Sequence, residues 1–295
     1  MRKRKNQLQA WIEAARPKTL PASVSPVFLG CALAYADDAL RIVPAALCLW
    51  VALLAQIASN FANDYFDFKK GADTEERLGP ERAVASGWIT PKAMLGGTFI
   101  ALGLACLGGL FLCYLAGWEL LFAGAAIALC VLAYSAGPFP LAYHGLGDVC
   151  VGVFYGVIPV CLTYYVQAAA FSPLSFPLSL ALGFLSINIL VVNNYRDCEQ
   201  DRAAGKRTSI VRFGRAFGRW FYLANGVLAI LFSLPLLLHT RWWILLLFVA
   251  FFSFFLSTWR ALYRFQGREL NATLARSAGN VLLFTVLLAF ALLCR

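Results

Sequence analysis

Nine of the fifteen acidic residues fall in two short stretches: Asp64, Asp67, Asp73, Glu75, Glu76 and Glu81 in the first, Asp197, Glu199 and Asp201 in the second. Clustered carboxylates repel one another unless a cation neutralises them, and donor sets made only of oxygen select hard ions such as Mg2+. Magnesium gives up its water reluctantly and prefers one or two carboxylates together with phosphate oxygens from a substrate. Two acidic stretches facing each other therefore suit a Mg2+-bridged diphosphate. The cations interleaved with them, Lys69, Lys70, Arg77, Arg82, Arg202 and Lys206, suit the same anion. The bland alternative is a solvated loop, because mixed charges are ordinary at helix ends.

The spacing favours the sharper reading. Asn60, then Asn63 or Asp64, then Asp67 recur at i, i+3 or i+4, and i+7, which places them on one stripe of a helix. Asn193 or Asn194, Asp197 and Asp201 fall on one stripe in the same way, so the two stretches read as copies of one device. Between them, Tyr134 to Asp148 carries no Lys or Arg, and its glycines and prolines predict a structured turn. Asp148, the one carboxylate of that turn, is either the N-cap of the following helix or a member of the site.

The elements that position these residues must lie in a bilayer. Hydrophobic residues make up 61% of the 295-residue chain and charged residues 14%, against roughly 45–50% and about 25% in ordinary globular chains. A soluble domain of this composition would lack the polar side chains to cover its surface. Apolar runs near 20–36, 43–62, 94–115, 118–135, 149–168, 174–193, 220–238, 242–261 and 277–294 predict nine transmembrane helices. The expected architecture is an all-α polytopic bundle around a central site that opens to the cytoplasmic side, one domain over 1–295 with 1–19 as a cytoplasmic interfacial segment. In that segment Leu8, Trp11, Ile12 and Ala15 share a helical face. The basic start, Met1 to Lys5, precedes an apolar run that begins only near Leu20 and carries Pro21 and Pro26, which predicts a retained span and not a cleaved signal.

Sorting the connectors by parity puts 22 of the 25 Lys and Arg on the side of the N-terminus, leaving Arg41, Arg241 and Arg295 opposite. The positive-inside rule then places the N-terminus and both acidic stretches in the cytoplasm, with the chain in the cell's inner (plasma) membrane. The net charge of +10 could suggest nucleic acid, but the cations lie between apolar spans and not on a soluble patch, which argues against a polynucleotide partner. The nine cysteines form no C-x-x-C pair and sit mostly within apolar runs, so neither a disulfide framework nor a zinc site is expected. A secondary transporter is the competing function, because acids near span ends in an internally repeated chain also suit ion coupling. Transporter acids, however, usually lie near the bilayer midplane at broken helices.

At these residues the sequence resembles the UbiA superfamily of intramembrane aromatic prenyltransferases. The resemblance is carried by Arg16-Pro-Lys-Thr-Leu-Pro21, by Asn63-x-x-x-Asp67 with Asp73 beyond it, by Arg82 to Gly87, by Tyr134 to Asp148, and by Asn193-Asn194-x-Arg196-Asp197-x-x-x-Asp201. Many relatives have a third aspartate four residues after the second; here Gly71 holds that position and Asp73 follows. This shift, the Arg16–Pro21 segment and the Gly145 to Asp148 turn are similar to the branch that prenylates 1,4-dihydroxy-2-naphthoate. Some relatives carry a basic residue in the loop before Asp148, which this chain lacks.

The resemblance implies transfer of a polyprenyl chain from its diphosphate to an aromatic ring. It implies Mg2+ on Asn63, Asp67, Asn194, Asp197 and Asp201, and diphosphate on Lys70, Arg82, Arg202 and Lys206. Asp64, Asp67, Asp73, Asp197, Asp201 and Tyr134 are the expected catalytic residues, and Asn60, Asp148 and Arg196 the expected acceptor contacts. In the naphthoate branch the attacked carbon bears the carboxylate, so loss of CO2 and a demethylmenaquinone-type product are implied, whereas other branches take other aromatic acceptors.

The cation split yields a topological prediction. Single cysteines at positions 205 and 240, in a background stripped of native cysteines, are treated in whole cells with a membrane-impermeant thiol reagent. Labelling is expected at 240 and not at 205; the reverse pattern would overturn the orientation.

Overall fold

The computed structural model describes residues 6–72 and 77–295. Twelve α-helices run through them, joined by short 3-10 and π turns, and the described residues contain no strand. The expected Asp73 lies outside the described residues, as do Glu75 and Glu76.

Helix α1 (Gln7–Ala15) starts at Asn6, whose side-chain oxygen accepts from Leu8 N, and ends where Arg16 takes a left-handed conformation at φ 55°. A bend of 53° follows, and α2 (Pro21–Ala36) opens on a proline, whose missing N–H costs nothing in a first turn. Helix α1 buries Ala10 and Ala14, and Trp11 packs edge-on against Phe61 at 5.2 Å. Leu8 and Ile12 face outward from the predicted amphipathic helix.

Helix α3 (Ile42–Lys69) extends seven residues beyond the run expected to end near 62, because Asn63 to Lys69 continue the helical pattern as a polar stripe. It packs along α4 (Pro91–Ala116), and Gly117 at φ 134° turns the chain into α5 (Leu120–Ala133). The next rod, Gly147–Ala168, is built from α6 (Gly147–Gly152), a π turn over Val153–Val157 and α7 (Ile158–Ala168). Helix α8 (Ser175–Arg196) carries the second polar stripe, and short α9 (Cys198–Ala203) follows it. Helix α10 (Ser209–Leu237) breaks at Gly214, φ 85°, and packs along α8; α11 (Trp242–Arg264) and α12 (Leu270–Leu293) close the bundle.

Among the described residues, seven helices are long and apolar enough to cross a bilayer, or eight when the bent α1–α2 pair is taken as one span. The sequence predicts nine runs, and α5 accounts for the difference. Its 14 residues reach only about 21 Å at the helical rise, short of the roughly 30 Å hydrocarbon core. Apolar side chains on the outer faces, including Phe99, Leu107, Phe122, Leu129, Leu246 and Val249, are exposed. Water would not tolerate such a surface, and lipid requires it. The chain is an integral membrane protein.

The main core joins α2, α7, α8, α10, α11 and α12 around Leu29, Leu182, Leu185, Tyr222, Phe255 and Phe284. Because lipid supplies no hydrophobic drive between helices, close packing and interhelical hydrogen bonds must hold the bundle. Both occur on α8. A Cβ at Gly156 would lie 2.5 Å from the Gly183 Cα, so glycine at both positions lets the π turn touch α8 backbone to backbone. On the other face of α8, Asn188 donates to the Tyr222 carbonyl at 3.1 Å and accepts from Asn225 at 3.0 Å, while the Tyr222 hydroxyl meets Ser277 at 3.0 Å.

Candidate functional site

The bundle encloses a cavity of about 560 Å³ that runs from a charged mouth to an apolar interior. The C-terminal end of α3 and the end of α8 with α9 supply the mouth. Asn60, Asn63 and Asp67 reach it from one side, Asn193, Asn194, Asp197 and Asp201 from the other. Arg82 and Lys206 complete it, together with Arg16 and Arg77. Both predicted stripes therefore face one space, although helix α3 is continuous through its stripe and α8 stops at Arg196. Asp197 caps α8 in a non-helical conformation, and the amide of Asp201 still bonds the Asp197 carbonyl at 2.8 Å.

Asp67 is buried, and three groups compensate its charge. Tyr143 Oη donates to Oδ1 at 2.9 Å, while Arg82 Nη2 and Lys206 Nζ approach Oδ2 at 3.4 and 3.3 Å. Asp197 is held differently: Arg196 makes a forked pair to its two oxygens at 2.7 and 2.5 Å. The same guanidinium donates to Asn193 at 2.8 Å and to Asn271 of α12 at 2.7 Å. Asn271 in turn donates to the Leu78 carbonyl at 3.1 Å, which ties α12 and the loop between α3 and α4 to the end of α8. Asp201 has Lys206 Nζ at 3.8 Å. Burial pushes the Asp201 carboxyl up to about 6, with Asp197 and Asp67 acting in the same direction and Lys206 and Arg77 opposing.

Several expected site residues do other work. Asp64 accepts from the backbone amides of Ala83 and Val84 at 2.9 and 3.2 Å and does not line the cavity, so it anchors the 83–84 turn to α3. It falls one position off the Asn60–Asn63–Asp67 face, which resolves the Asn63-or-Asp64 ambiguity of the spacing. Arg196 is also absent from the cavity wall: its partners Asp197, Asn193 and Asn271 lie inside the protein, and it holds Asp197 in place. Arg202 pairs with Glu199 at 2.7 Å on the surface, more than half exposed, and does not line the cavity. Lys70 donates to the Ser135 carbonyl at 2.8 Å and lines a second, smaller cavity of about 420 Å³.

Asn60 lines the large cavity while donating to the Ala15 carbonyl at 2.9 Å, and Asn63 accepts from the Ser135 hydroxyl. Asp148 lies in the first turn of α6 and does not cap it; it lines the cavity, buried, and its Oδ1 has no hydrogen-bond partner among the described residues. Tyr134 lines the cavity at the end of α5, and Phe154 and Tyr155 reach it from the π turn. Such a turn re-aims side chains that a regular helix would direct elsewhere. Beyond these rings the walls are apolar, from Leu102, Ala105 and Leu112 of α4 to Leu121, Ile127 and Val131 of α5.

Spacing alone gave Tyr143 and Arg16 no role. Tyr143 lies in a turn whose fold brings it back to α3, and Arg16 lines the mouth from the bend between α1 and α2, where it takes a left-handed conformation. The signal for Arg16 was its place at the head of the Arg16–Pro21 segment; Tyr143 had none beyond its loop.

A hard divalent cation fits the donor set, which is all oxygen, buried and self-repelling. Among the described residues, no three His, Cys, Asp or Glu side chains converge closely enough to cage a metal. Such a donor set leaves room for ligand oxygens in the coordination, as suits Mg2+ and a diphosphate.

Comparisons with known proteins agree with this geometry. Residues 23–282 match the sequence profile of the UbiA prenyltransferase family. The chain is 38% identical over 252 residues, 82% of each chain, to a 1,4-dihydroxy-2-naphthoate octaprenyltransferase of Escherichia coli. It is 40% identical over 224 residues, 73% of each chain, to the protein of the same name in Haemophilus influenzae. Its fold is similar to that of a UbiA homologue from Archaeoglobus fulgidus bound to DMAPP and Mg2+, with a TM-score of 0.69 at 17% identity over 96% of this chain and 98% of the other.

The hydrogen bonds separate structural from site carboxylates. Asp64→Asn weakens two buried backbone contacts and is expected to lower stability by about 1.5–3 kcal/mol, whereas Asp201→Asn removes a charge that burial opposes and is expected to leave stability unchanged or raised. Thermal melts of the two variants in detergent check this; equal losses would refute the division.

Proposed function

Because the chain belongs to the UbiA prenyltransferase family, we propose that it transfers a polyprenyl chain from its diphosphate to 1,4-dihydroxy-2-naphthoate with loss of CO2, giving demethylmenaquinol, the hydroquinone form of a demethylmenaquinone-type product. One observation carries this reading: a single cavity joins a mouth of buried carboxylates and cations to a long apolar interior. A polyprenyl diphosphate has that same division of charge and hydrocarbon. The naphthoate is the acceptor in the names of the bacterial relatives, and the solved homologue with DMAPP and Mg2+ supports the donor class and the metal.

Asp67 and Asp201, with Asn63, Asn194 and Asp197 beside them, are the residues that would hold Mg2+ together with the diphosphate oxygens. When bound, that ion supplies neutralising charge to the leaving diphosphate. Lys206 and Arg82, already at the mouth, hold the same anion through charge-assisted hydrogen bonds. As the C–O bond of the allylic diphosphate breaks, the electron pair leaves with the diphosphate and an allylic cation remains. The apolar walls exclude the water that would capture it, and the ring faces of Tyr134 and Phe154 stabilise it weakly. The electron-rich naphthoate ring then attacks through the carbon that bears its carboxylate, and that carboxylate departs as CO2, which restores the aromatic ring.

Asn60 and Asp148 are the polar groups of the cavity wall assigned to the acceptor. We read the bent α1–α2 rod and the short α5 as crossings too, which makes nine, with residues 1–295 as one domain and segment 1–19 on the cytoplasmic interface of the inner membrane. The cation split supports the orientation. The acids lie at the ends of α3 and α8 and not at broken helices in mid-span, which disfavours a transporter.

The test is purified protein with Mg2+ and one prenyl diphosphate, offered 1,4-dihydroxy-2-naphthoate, 4-hydroxybenzoate or homogentisate separately, with CO2 release followed beside product. Prenylation of the naphthoate with stoichiometric CO2 is expected, and Asp67→Asn is expected to lose roughly 100-fold or more in rate, judged by electrostatic contacts of comparable kind. Efficient prenylation of 4-hydroxybenzoate alone, or a naphthoate product that keeps its carboxylate, would refute the acceptor.

A further inference from the structure

An aromatic ring to which the reaction above gives no task borders the acidic mouth. Tyr143 lies in the cation-free turn between α5 and α6, and its backbone carbonyl accepts from Arg207 N at 2.8 Å, which pins that turn to the segment after α9. Its hydroxyl donates to Asp67 Oδ1 at 2.9 Å. Over its ring stand two ammonium groups, Lys70 Nζ at 4.3 Å and Lys206 Nζ at 4.8 Å from the centroid. Lys206 lines the large cavity, while Lys70 and Tyr143 line the smaller one, so the tyrosine belongs to the partition between them.

Two like charges sharing one ring repel each other. Burial lowers the Lys70 pKa from its ordinary value and Lys206 acts in the same direction, with Asp67 opposing. The negative face of the ring offsets that repulsion; Lys70 is held as well by the Ser135 carbonyl at 2.8 Å and Lys206 by the Asp67 carboxylate. Lys206 has a competing position within reach, because Asp67 Oδ2 and Asp201 Oδ1 lie 3.3 and 3.8 Å from its Nζ. Without the ring it would settle fully onto the carboxylates, where it neither meets an incoming anion nor leaves those oxygens open.

We infer that Tyr143 is a positioning residue for the diphosphate: its ring holds Lys206 at the cavity wall with Lys70 behind it, and its hydroxyl orients Asp67. This rests on the diphosphate reading of the site proposed above. The two parts of the side chain are separable. Phenylalanine keeps the platform and loses only the bond to Asp67, whereas leucine loses both.

The experiment uses the full chain in detergent micelles. Isothermal calorimetry with inorganic diphosphate and Mg2+ is run on wild type, Tyr143→Phe and Tyr143→Leu, with melting temperatures beside it. Tyr143→Phe is expected to bind within about 2-fold of wild type, and Tyr143→Leu roughly 5- to 30-fold more weakly, the loss of two cation–π contacts. In turnover, leucine should raise the KM for prenyl diphosphate by a similar factor while the KM for the aromatic acceptor holds. Tyr143→Met fills the space without a π face; it is expected to match leucine and serves if leucine does not fold. A ring that merely fills space would lower the melting temperature without this split. Leucine and methionine binding as tightly as wild type, or phenylalanine failing as badly as they do, would overturn the inference and leave the diphosphate reading standing. Wild type that binds no Mg2+-diphosphate would remove both.

Discussion

A buried carboxylate at the end of a membrane helix is the constraint on which the rest of this structure depends. Asp67 is almost wholly enclosed, and a charge so placed is costly unless cations and donors meet it. The protein gathers them from distant parts of the chain: Arg82 from the segment after α3, Tyr143 from the turn before α6, Lys206 from the segment after α9. Each contact closes one of the connections on the side of the mouth. The charge is thus a structural organiser before any substrate arrives, and its partners on the cavity wall are groups that an anion can recruit.

The two acidic motifs solve the same problem unequally. Asp197 is locked by the forked Arg196 pair, whose guanidinium is itself enclosed and shared with Asn193 and Asn271. Asp67 and Asp201 instead share Lys206, at longer range. One half of the mouth is therefore a rigid frame and the other a set of looser contacts suited to exchange when metal and diphosphate enter. Below it, the π turn aims Phe154 and Tyr155 into the cavity, and the glycine contact between that turn and α8 fixes its depth. Anion capture and a dry reaction space come from the same few helices.

Much of this was legible in the sequence, for physical reasons. Apolar runs must be helices in a bilayer, and polar stripes at helical spacing must share a face, so the pattern put Asn60, Asp67, Asp197 and Asp201 on two stripes at one side of the membrane, and both stripes line one cavity; between Asn63 and Asp64, and between Asn193 and Asn194, it did not choose. The pattern could not say which partner each polar group would find. Asp64 and Asp67 are both acids near the same stripe, yet one is consumed by the amides of Ala83 and Val84. Arg196 and Arg202 are both cations near the second motif, yet one is an internal clamp and the other a surface pair. Such choices depend on tertiary contacts across tens of residues, as does the role of Tyr143. The length of α5 was misjudged because Trp118, Tyr134 and the apolar residues at its ends look like helix in composition while belonging to turns.

The central claim is that the ends of α3 and α8 grip one metal–diphosphate unit jointly. Electron paramagnetic resonance with Mn2+ in place of Mg2+, in the presence of a non-reacting prenyl diphosphate analogue, tests it most directly through the coupling of the metal to phosphorus. The account predicts a bound Mn2+ signal with phosphorus coupling in the wild type, lost in Asp67→Asn and in Asp201→Asn alike. An undiminished coupled signal in either variant would contradict a shared site.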